Sequence, residues 1–360
     1  MKVKLLILFC VTTVFLPILV FVILGLNGIP PQLQFYKMKY SICIIISLSS
    51  VVGFSLYLLK RKNIDWHLFV SVALMSFLIE LITFPLRAFV IMPGIPGGFP
   101  LCSVAAFIFY FIFTNLMLKK YALKIKPHWI LLAFLTGCSI LQLPVRILDP
   151  ISTLGSLPDF LFHLLGILMG YFYYFSSRNF KTGIILTSII CCSLLFLKGY
   201  DMWMHQLNYS TFTGKIKTAQ TFEFQFQNED GDTLSVSDFK GKYLIIDCWY
   251  TYCGVCYKKF PQVQKLFDKF KDDDEIALFS LHCRLKKAQR NEEETVKTGI
   301  DILKTRGFSF PCFSIDMDNP VLKELGVDSY PTVLIFNKES QLIFRGSIEY
   351  ASKHISKIKK

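Results

Sequence analysis

Seven apolar runs dominate the first 204 residues of this chain. A helix needs roughly 20 apolar residues to cross the hydrocarbon core of a bilayer, and each run is close to that length or longer. Because lipid offers the backbone no hydrogen-bond partners, runs of this length fold as α-helices. The runs are Leu5–Leu26, Tyr40–Leu59, Trp66–Met92, Phe99–Leu118, Trp129–Leu148, Leu157–Phe175 and Thr182–Met204. They predict a polytopic membrane domain of about seven spans over residues 1–204.

The basic residues predict how this domain is oriented. The formal net charge is +13, and Lys and Arg recur in alternate loops. The basic segments contain Lys2, Lys4, Lys60, Arg61, Lys62, Lys119, Lys120, Lys124, Lys126, Arg178 and Lys181. Loops 92–99 and 149–158 contain no Lys or Arg. Only the loop with Lys37 and Lys39 and the segment between the second and third runs blur the alternation. The positive-inside rule places the N-terminus in the cytoplasm and everything after the seventh run outside it. The sequence shows no basic face rich in aromatic residues. The positive net charge therefore indicates the orientation of the chain in a membrane and not nucleic-acid binding.

The remaining residues are polar enough for a soluble domain. A polar linker, residues 205–217, separates it from the spans. Strand-like and helix-like segments then alternate, which predicts an α/β domain over residues 218–360 with helices on both faces of its sheet. The predicted strands are Thr221–Phe226, Tyr243–Cys248, Ile276–His282, Val333–Asn337 and Leu342–Gly346. The predicted helices are Tyr257–Phe270, Glu292–Arg306, Asn319–Leu325 and Tyr350–Lys359.

Cys253 and Cys256 form a Cys-x-x-Cys between a predicted strand and a predicted helix. Two thiols at this spacing can cycle between dithiol and disulfide. The positive end of the following helix lowers the pKa of the first thiol, which makes it an attacking thiolate near neutral pH. A zinc site is disfavoured, because no second Cys-x-x-Cys or close His pair completes one. The motif therefore predicts thiol-disulfide chemistry.

Four further features accompany the cysteine pair in a fixed order: Leu234–Lys242, Asp247–Trp249, Pro261 and Tyr330–Thr332. With the pair, this ordered set resembles the thioredoxin superfamily, and more closely its membrane-tethered branch typified by the TlpA and ResA proteins. The resemblance covers roughly residues 218–360 and implies a thioredoxin-like fold. It implies that Cys253 attacks a substrate disulfide and that Cys256 resolves the mixed disulfide. It also implies that Asp247 handles the proton of Cys256, the alternative being a polar residue at a strand end.

Three other roles follow from the same resemblance. Trp249 is expected to pack beside the active site, and simple core packing is the competing interpretation. Pro331 is expected to form a cis peptide bond opposite the cysteines, with the backbone of Tyr330 pairing with substrate. An ordinary trans loop proline is the alternative. Lys259 departs from the TlpA and ResA pattern, which often has a glutamate there, and a cation at this position favours the thiolate. Gly254–Val255 between the cysteines leaves the redox potential open.

We therefore predict a membrane-anchored, extracytoplasmic thiol-disulfide oxidoreductase in the bacterial cytoplasmic membrane. It is expected to act on protein disulfides, more as a reductase than as an oxidase, without cofactor or metal. One alternative is an electron relay in which the spans feed the Cys-x-x-Cys from a membrane electron donor. Another is a membrane transport or binding protein that uses the C-terminal domain for docking. The Pro-x-x-x-Thr-x-x-Cys arrangement of a peroxiredoxin is missing, which disfavours a peroxidase.

Polar residues inside the apolar runs raise a second question, because charges are costly in a bilayer. Glu80 and Arg87 share a helix face on either side of Pro85. A polar vestibule that also contains Arg146, His163, Lys198 and Asp201 is one interpretation, and snorkelling with one structural ion pair is the other.

Gly166 and Gly170 predict close helix packing. The membrane cysteines Cys102, Cys138, Cys191 and Cys192 are expected to pack as small apolar residues. Cys283 and Cys312 are expected to be buried thiols, with a second disulfide as the alternative.

Overall fold

The computed structural model describes residues 66–83, 98–285 and 294–358. The chain divides into two compact units, Met1–Met204 and His205–Lys360. The first two predicted spans and residues 84–92 of the third lie outside the described residues.

Unit 1 is helical throughout its described part. Its helices are α1 (Trp66–Thr83), α2 (Phe99–Tyr121), α3 (Pro127–Leu148), α4 (Leu157–Phe175) and α5 (Arg178–Leu194), and a π-helical turn, Leu195–Gly199, leads into α6 (Tyr200–Tyr209). Four helices of the described part are long and apolar enough to cross a membrane, and five are if the bent α3 is one span. These helices correspond to the last five of the seven predicted spans.

Helix α3 bends by 50° between Pro127–Ile140 and Gln142–Leu148. Pro144 lies inside this helix and explains the bend. Its ring removes the N–H that would bond to the carbonyl of Ile140 and crowds that carbonyl. The bend therefore follows from a single residue.

Glycines allow the helices of unit 1 to approach closely. A Cβ on Gly166 would lie 2.6 Å from the backbone oxygen of Phe107, and one on Gly170 would lie 2.5 Å from that of Phe111. Helices α4 and α2 therefore pack backbone to backbone, as the Gly-x-x-x-Gly spacing predicts. Gly137 has the same function where α3 meets α1.

Polar residues of the predicted vestibule divide into two groups. Glu80, Arg146 and His163 are at most 3% exposed, so they lie in the closed interior of unit 1. Lys198 and Asp201 are exposed, whereas Pro85 and Arg87 lie outside the described residues. Glu80 bonds to His163, and Arg146 bonds to Gln142 and Ser156, so protein groups replace the water that a vestibule would supply.

Unit 2 is an eight-stranded mixed sheet with helices. The strands are β1 (Lys215–Thr221), β2 (Gln225–Gln227), β3 (Thr233–Ser235), β4 (Tyr243–Trp249), β5 (Ile276–Arg284), β6 (Cys312–Asp316), β7 (Thr332–Phe336) and β8 (Gln341–Gly346). The helices are α7 (Gly254–Phe270), α8 (Val296–Thr305), α9 (Pro320–Glu324) and α10 (Ile348–Ile358). The spatial order is β1-β8-β7-β4-β5-β6-β2-β3. Strand β4 pairs parallel with β5 and antiparallel with β7, which places it at the centre of the sheet.

Strand β4 separates two apolar clusters because its side chains alternate between the faces of the sheet. Leu244, Ile246 and Cys248 belong to the cluster on one face. Ile245 and Trp249 belong to the other, which contains the buried side chains of α7 and α10. This alternation decides which side chains of β4 lie beneath the Cys-x-x-Cys helix.

The predicted linker, residues 205–217, is more ordered than its polar composition suggests. Residues 205–209 complete α6, and β1 begins at Lys215. Arg345 holds this segment, because its backbone N–H donates to the oxygen of Gly214 at 2.8 Å and its Nε donates to the oxygen of Tyr209 at 3.0 Å. The segment is therefore part of unit 2.

Candidate active site

The cysteine pair lies where the central strand leads into a helix. Strand β4 ends at Trp249, and α7 begins at Gly254 with Cys253 as its N-cap. Cys253 and Cys256 form a disulfide with a Cα–Cα distance of 5.2 Å. The backbone N–H of Cys256 donates to Cys253 Sγ at 3.1 Å. In the reduced protein, this N–H and the helix N-terminus would both stabilise a thiolate on Cys253.

The two sulfurs differ in access. Cys253 is 5% exposed, whereas Cys256 is fully buried. Tyr252 and Val255, beside them in sequence, are 48% and 55% exposed. An incoming disulfide therefore reaches Cys253 first, and the side chains around it offer an apolar contact surface.

Asp247 is a buried acid in the strand that leads to the pair. It is 2% exposed and shares the α7 face of β4 with Ile245 and Trp249. Neither of its carboxyl oxygens has a hydrogen-bond partner among the described residues. Burial raises the pKa of Asp247 to about 8. A carboxyl in this environment can release or accept a proton near neutral pH, as general acid-base chemistry requires.

Trp249 packs in the apolar cluster that also contains the two cysteines. Its side chain is fully buried, and its ring centroid lies 5.0 Å from that of Phe260 and 4.7 Å from that of His282. Cys253 and Cys256 belong to the same cluster. The geometry therefore shows Trp249 as a packing residue directly beneath the cysteines.

Tyr330 and Pro331 lie next to this strand end. The peptide bond between them is cis. Pro331 directly precedes β7, whose first residue, Thr332, pairs with Cys248 of β4. The hydroxyl of Tyr209 donates to the backbone oxygen of Pro331 at 3.0 Å. The fold thus brings the six sequence-predicted site residues to one end of the central strands.

The C-terminal part of this chain is similar to known proteins. Residues 217–345 match the AhpC/TSA family. The thiol-disulfide oxidoreductase ResA of Bacillus subtilis is 25% identical over 166 residues, which cover 45% of this chain and 80% of ResA. The C-terminal unit is a thioredoxin-like domain of the thiol-disulfide oxidoreductase type.

A second curated protein and a solved structure are also similar to this chain. ResA of Halalkalibacterium halodurans is 25% identical over 140 residues, covering 38% of this chain and 73% of that protein. Among solved structures, the exposed lipoprotein thioredoxin of Streptococcus pneumoniae has 20% identity and a TM-score of 0.32, covering 38% of this chain and 99% of that one. The matched regions lie in the C-terminal part of this chain.

His282 is a site residue of the thioredoxin-like domain that sequence analysis missed. It pairs with Trp249 across β4 and β5, and its Nε2 lies 2.9 Å from Thr251 Oγ1 and 3.7 Å from Glu294 Oε2. Burial lowers the pKa of His282 to about 4. The imidazole is therefore neutral near pH 7 and holds the turn before Cys253 through Thr251. In the sequence, His282 is only a histidine at the end of a predicted apolar strand. Its place beside Trp249 and Thr251 depends on how β4 and β5 pair, which the sequence does not show.

Lys259 does not act as an isolated cation. Its Nζ contacts Glu349 Oε1 at the start of α10. Burial raises the pKa of Glu349, but the hydrogen bond and charge of Lys259 outweigh this and lower it below its usual value. The pairing offsets the positive charge that sequence analysis expected to favour the thiolate.

Cys283 and Cys312 are free thiols in the thioredoxin-like domain. They lie on neighbouring parallel strands, where Cys283 pairs with Ile315 and Cys312 with Ser280. Burial raises the pKa of each thiol to about 12. Cys283 is buried, as expected, whereas Cys312 is only partly buried; the raised pKa makes both thiols unreactive near neutral pH.

Proposed function

We propose that this chain is a membrane-anchored reductase of protein disulfides, with its thioredoxin-like domain outside the cytoplasm. The observation that carries the proposal is the difference between the two cysteines at the start of α7. Cys253 keeps a small exposed fraction, 5%, and its sulfur accepts an N–H, whereas Cys256 is fully buried. This is the arrangement that an attacking and a resolving thiol require.

The reaction transfers two electrons to the substrate. In the reduced protein, the Cys253 thiolate attacks one sulfur of a substrate disulfide and releases the other as a thiolate. Cys256 then loses its proton and attacks Cys253 Sγ, which breaks the mixed disulfide and releases the reduced substrate. Asp247 is the proposed acceptor of the Cys256 proton, since its raised pKa matches this task. The Cys253–Cys256 disulfide that remains must be reduced again by a thiol donor.

Substrate proteins are proposed to bind as extended segments beside Tyr330 and Pro331. Tyr330 is partly exposed, and its ring packs on Tyr250 with centroids 5.2 Å apart. The exposed side chains of Tyr252 and Val255 border the cysteines. These apolar groups suit a polypeptide, which offers both backbone hydrogen bonds and side chains.

Single-turnover exchange tests the reaction. The full chain, reduced and purified in detergent, is mixed with insulin, whose disulfides serve as the probe. We expect two thiols on the chain to be lost for each insulin disulfide reduced, and mass mapping should locate the loss at Cys253 and Cys256. The variant carrying Cys283→Ser and Cys312→Ser is the matched control and should react as the wild type does. Loss of thiols elsewhere, or insulin reduction without oxidation of the pair, would contradict the proposal.

Topology is tested by labelling in intact bacterial cells. A membrane-impermeant maleimide should modify reduced Cys253, because the proposed span count places this residue outside the cytoplasmic membrane. The introduced cysteine of Lys124→Cys, in a loop proposed to be cytoplasmic, should react only after the cells are permeabilised. Protection of Cys253 together with labelling at position 124 would reverse the proposed orientation.

A further inference from the structure

The interior of unit 1 holds a cluster of ionisable and sulfur-bearing side chains that disulfide exchange does not use. Glu80 is on α1, Cys102 on α2, Cys138 on α3, and Asp159 and His163 on α4. All five are at most 3% exposed. Burying such groups in an apolar helical unit is costly unless they bind one another or a ligand.

His163 is held from one side by Glu80. Its Nδ1 is in direct contact with Glu80 Oε1, and Gln142 Nε2 donates to Glu80 Oε2 at 2.9 Å. Arg146 Nη1 donates to Gln142 Oε1 at 2.5 Å, so the amide of Gln142 links the carboxylate to a buried cation. A carboxylate against Nδ1 assigns the ring proton to that nitrogen. When a metal replaces any proton on Nε2, the lone pair of that nitrogen faces Asp159 and Cys102.

Nε2 points towards a second pair of donors. His163 Nε2, Asp159 Oδ1 and Cys102 Sγ all lie within 4.8 Å of one another. Nε2 is 3.3 Å from Asp159 Oδ1, yet it has no hydrogen-bond partner among the described residues. Two ligands on one tetrahedral zinc ion, each about 2.0–2.2 Å from the metal, are about 3.3–3.5 Å apart. The observed separation is compatible with two ligand atoms that share an ion.

We propose that Cys102, Asp159 and His163 form a binding site for a divalent transition metal of the zinc type. One thiolate, one imidazole and one carboxylate suit zinc, whereas calcium and magnesium prefer oxygen alone. The two negative charges of the thiolate and carboxylate are neutralised by the ion. Three protein ligands leave a fourth position open. Glu80 orients the imidazole from behind, as a carboxylate commonly does for a metal-bound histidine.

The neighbouring group of Glu80, Cys138 and His163 is the competing set of donors. Glu80 Oε1 and His163 Nδ1 are in direct contact, which is closer than two ligands of one ion can lie. Cys138 Sγ instead lies 3.5 Å from Glu80 Oε1 as a hydrogen-bond donor. Cys138 is therefore a matched control thiol, buried in the same cluster but outside the proposed site.

Binding would change one bond at Cys102. Its thiol now donates to the backbone oxygen of Thr83 at 3.3 Å. On metal binding, the S–H bond breaks, sulfur coordinates the ion and its proton is released to solvent, together with any proton that His163 carries on Nε2. Ser103 Oγ, which donates to Asp159 Oδ1 at 2.9 Å, keeps the carboxylate in place.

Cobalt titration of the full chain in detergent tests the site. The experiment uses a Cys253→Ser and Cys256→Ser background, which removes metal binding by the exchange pair. After chelator treatment, we expect about one equivalent of Co²⁺ to bind with a thiolate-to-metal charge-transfer band, and Zn²⁺ to displace it. Cys102→Ser should abolish the band, whereas Cys138→Ser should retain it. Glu80→Gln should weaken binding about 10- to 100-fold, as expected for loss of an orienting carboxylate.

A labelling experiment on the chain with native Cys102 avoids the risk that a variant fails to fold. Zn²⁺ should slow alkylation of Cys102, mapped by mass spectrometry, and leave the alkylation rate of Cys138 unchanged. Absence of a charge-transfer band, a band that disappears with Cys138 in place of Cys102, or equal protection of both thiols would each overturn the proposal. None of these outcomes bears on Cys253, so the disulfide-exchange proposal is tested separately.

Discussion

Replacing Cys253 by serine is expected to lower the rate of disulfide exchange by about 10³-fold or more, because the variant lacks the nucleophile that a substrate disulfide can reach. A serine hydroxyl is not ionised near neutral pH and cannot form a mixed disulfide. Cys256 cannot substitute for it, since its side chain is fully buried. The rate of insulin reduction by the full chain in detergent, supplied with a thiol donor, measures the effect.

Cys312→Ser is the matched control for this loss. Cys312 lies in the same domain, but burial raises the pKa of its thiol to about 12, so it should contribute nothing to exchange. An exchange rate within twofold of wild type is expected for the control. Exchange that persists in Cys253→Ser and disappears in Cys312→Ser would show that the reactive thiol has been misassigned.

Replacing Asp247 by asparagine is expected to stabilise the thioredoxin-like domain, and more so at higher pH. The pKa of Asp247 is about 8 in the folded protein against an ordinary value of 3.8. The folded state therefore holds the proton more tightly than the unfolded state, and the stability of the wild type falls as pH rises from about 4 to about 8. A tenfold change in an ionisation constant corresponds to about 1.4 kcal/mol, so the penalty above pH 8 is on the order of 5 kcal/mol. The asparagine side chain has no charge to bury, so the substitution removes this penalty.

Thiol labelling measures this effect inside the full chain. Cys248 and Cys283 are fully buried and should react only when the domain unfolds. A brief pulse of a methanethiosulfonate reagent at increasing urea gives the unfolding midpoint of wild type and Asp247→Asn. The two midpoints should nearly coincide at pH 4 and separate progressively towards pH 8. A constant separation across this range would mean that Asp247 is not buried in ionisable form.

The pH dependence of the resolution rate tests whether Asp247 transfers a proton, independently of its destabilising effect on the fold. In the wild type, resolution of the mixed disulfide by Cys256 should accelerate through the pKa of Asp247, because only the ionised carboxylate accepts a proton. In Asp247→Asn that inflection near pH 8 should be absent, although the domain is more stable. A variant with an unchanged pH profile would leave Asp247 with a packing role only.

Local patterns predict the centre of the fold well. The predicted strand Tyr243–Cys248 is one residue shorter than β4, and the cysteine pair lies at the predicted strand-to-helix turn. Helix α7 nevertheless begins three residues before the predicted Tyr257. The reason is that the sulfur of Cys253 caps it, a cap that the usual Ser, Thr, Asp and Asn preferences do not include.

Other features depend on tertiary pairing and could not be read from the sequence. Strand β6, Cys312–Asp316, was not predicted. Its five residues show no clear strand pattern, and they form a strand because they pair with β5. His282 became a site residue through its register with Trp249. Cys138 packs in an apolar cluster as expected, but Cys102 and Cys138 also contact a carbonyl and a carboxylate, respectively, which was not predicted. Such contacts join residues far apart in the chain, beyond the reach of any local pattern.

Trapping of mixed disulfides in living cells tests the central claim most directly. In Cys256→Ser the first exchange step proceeds, but the resolving thiol is missing. After acid quenching, extracytoplasmic proteins should be found linked to Cys253 by a bond that reductant cleaves. No such adducts should form in the variant that also carries Cys253→Ser. If Cys256→Ser accumulates no adduct while its Cys248 remains protected from labelling, the domain is folded yet does not exchange disulfides with proteins, and the proposed function is wrong.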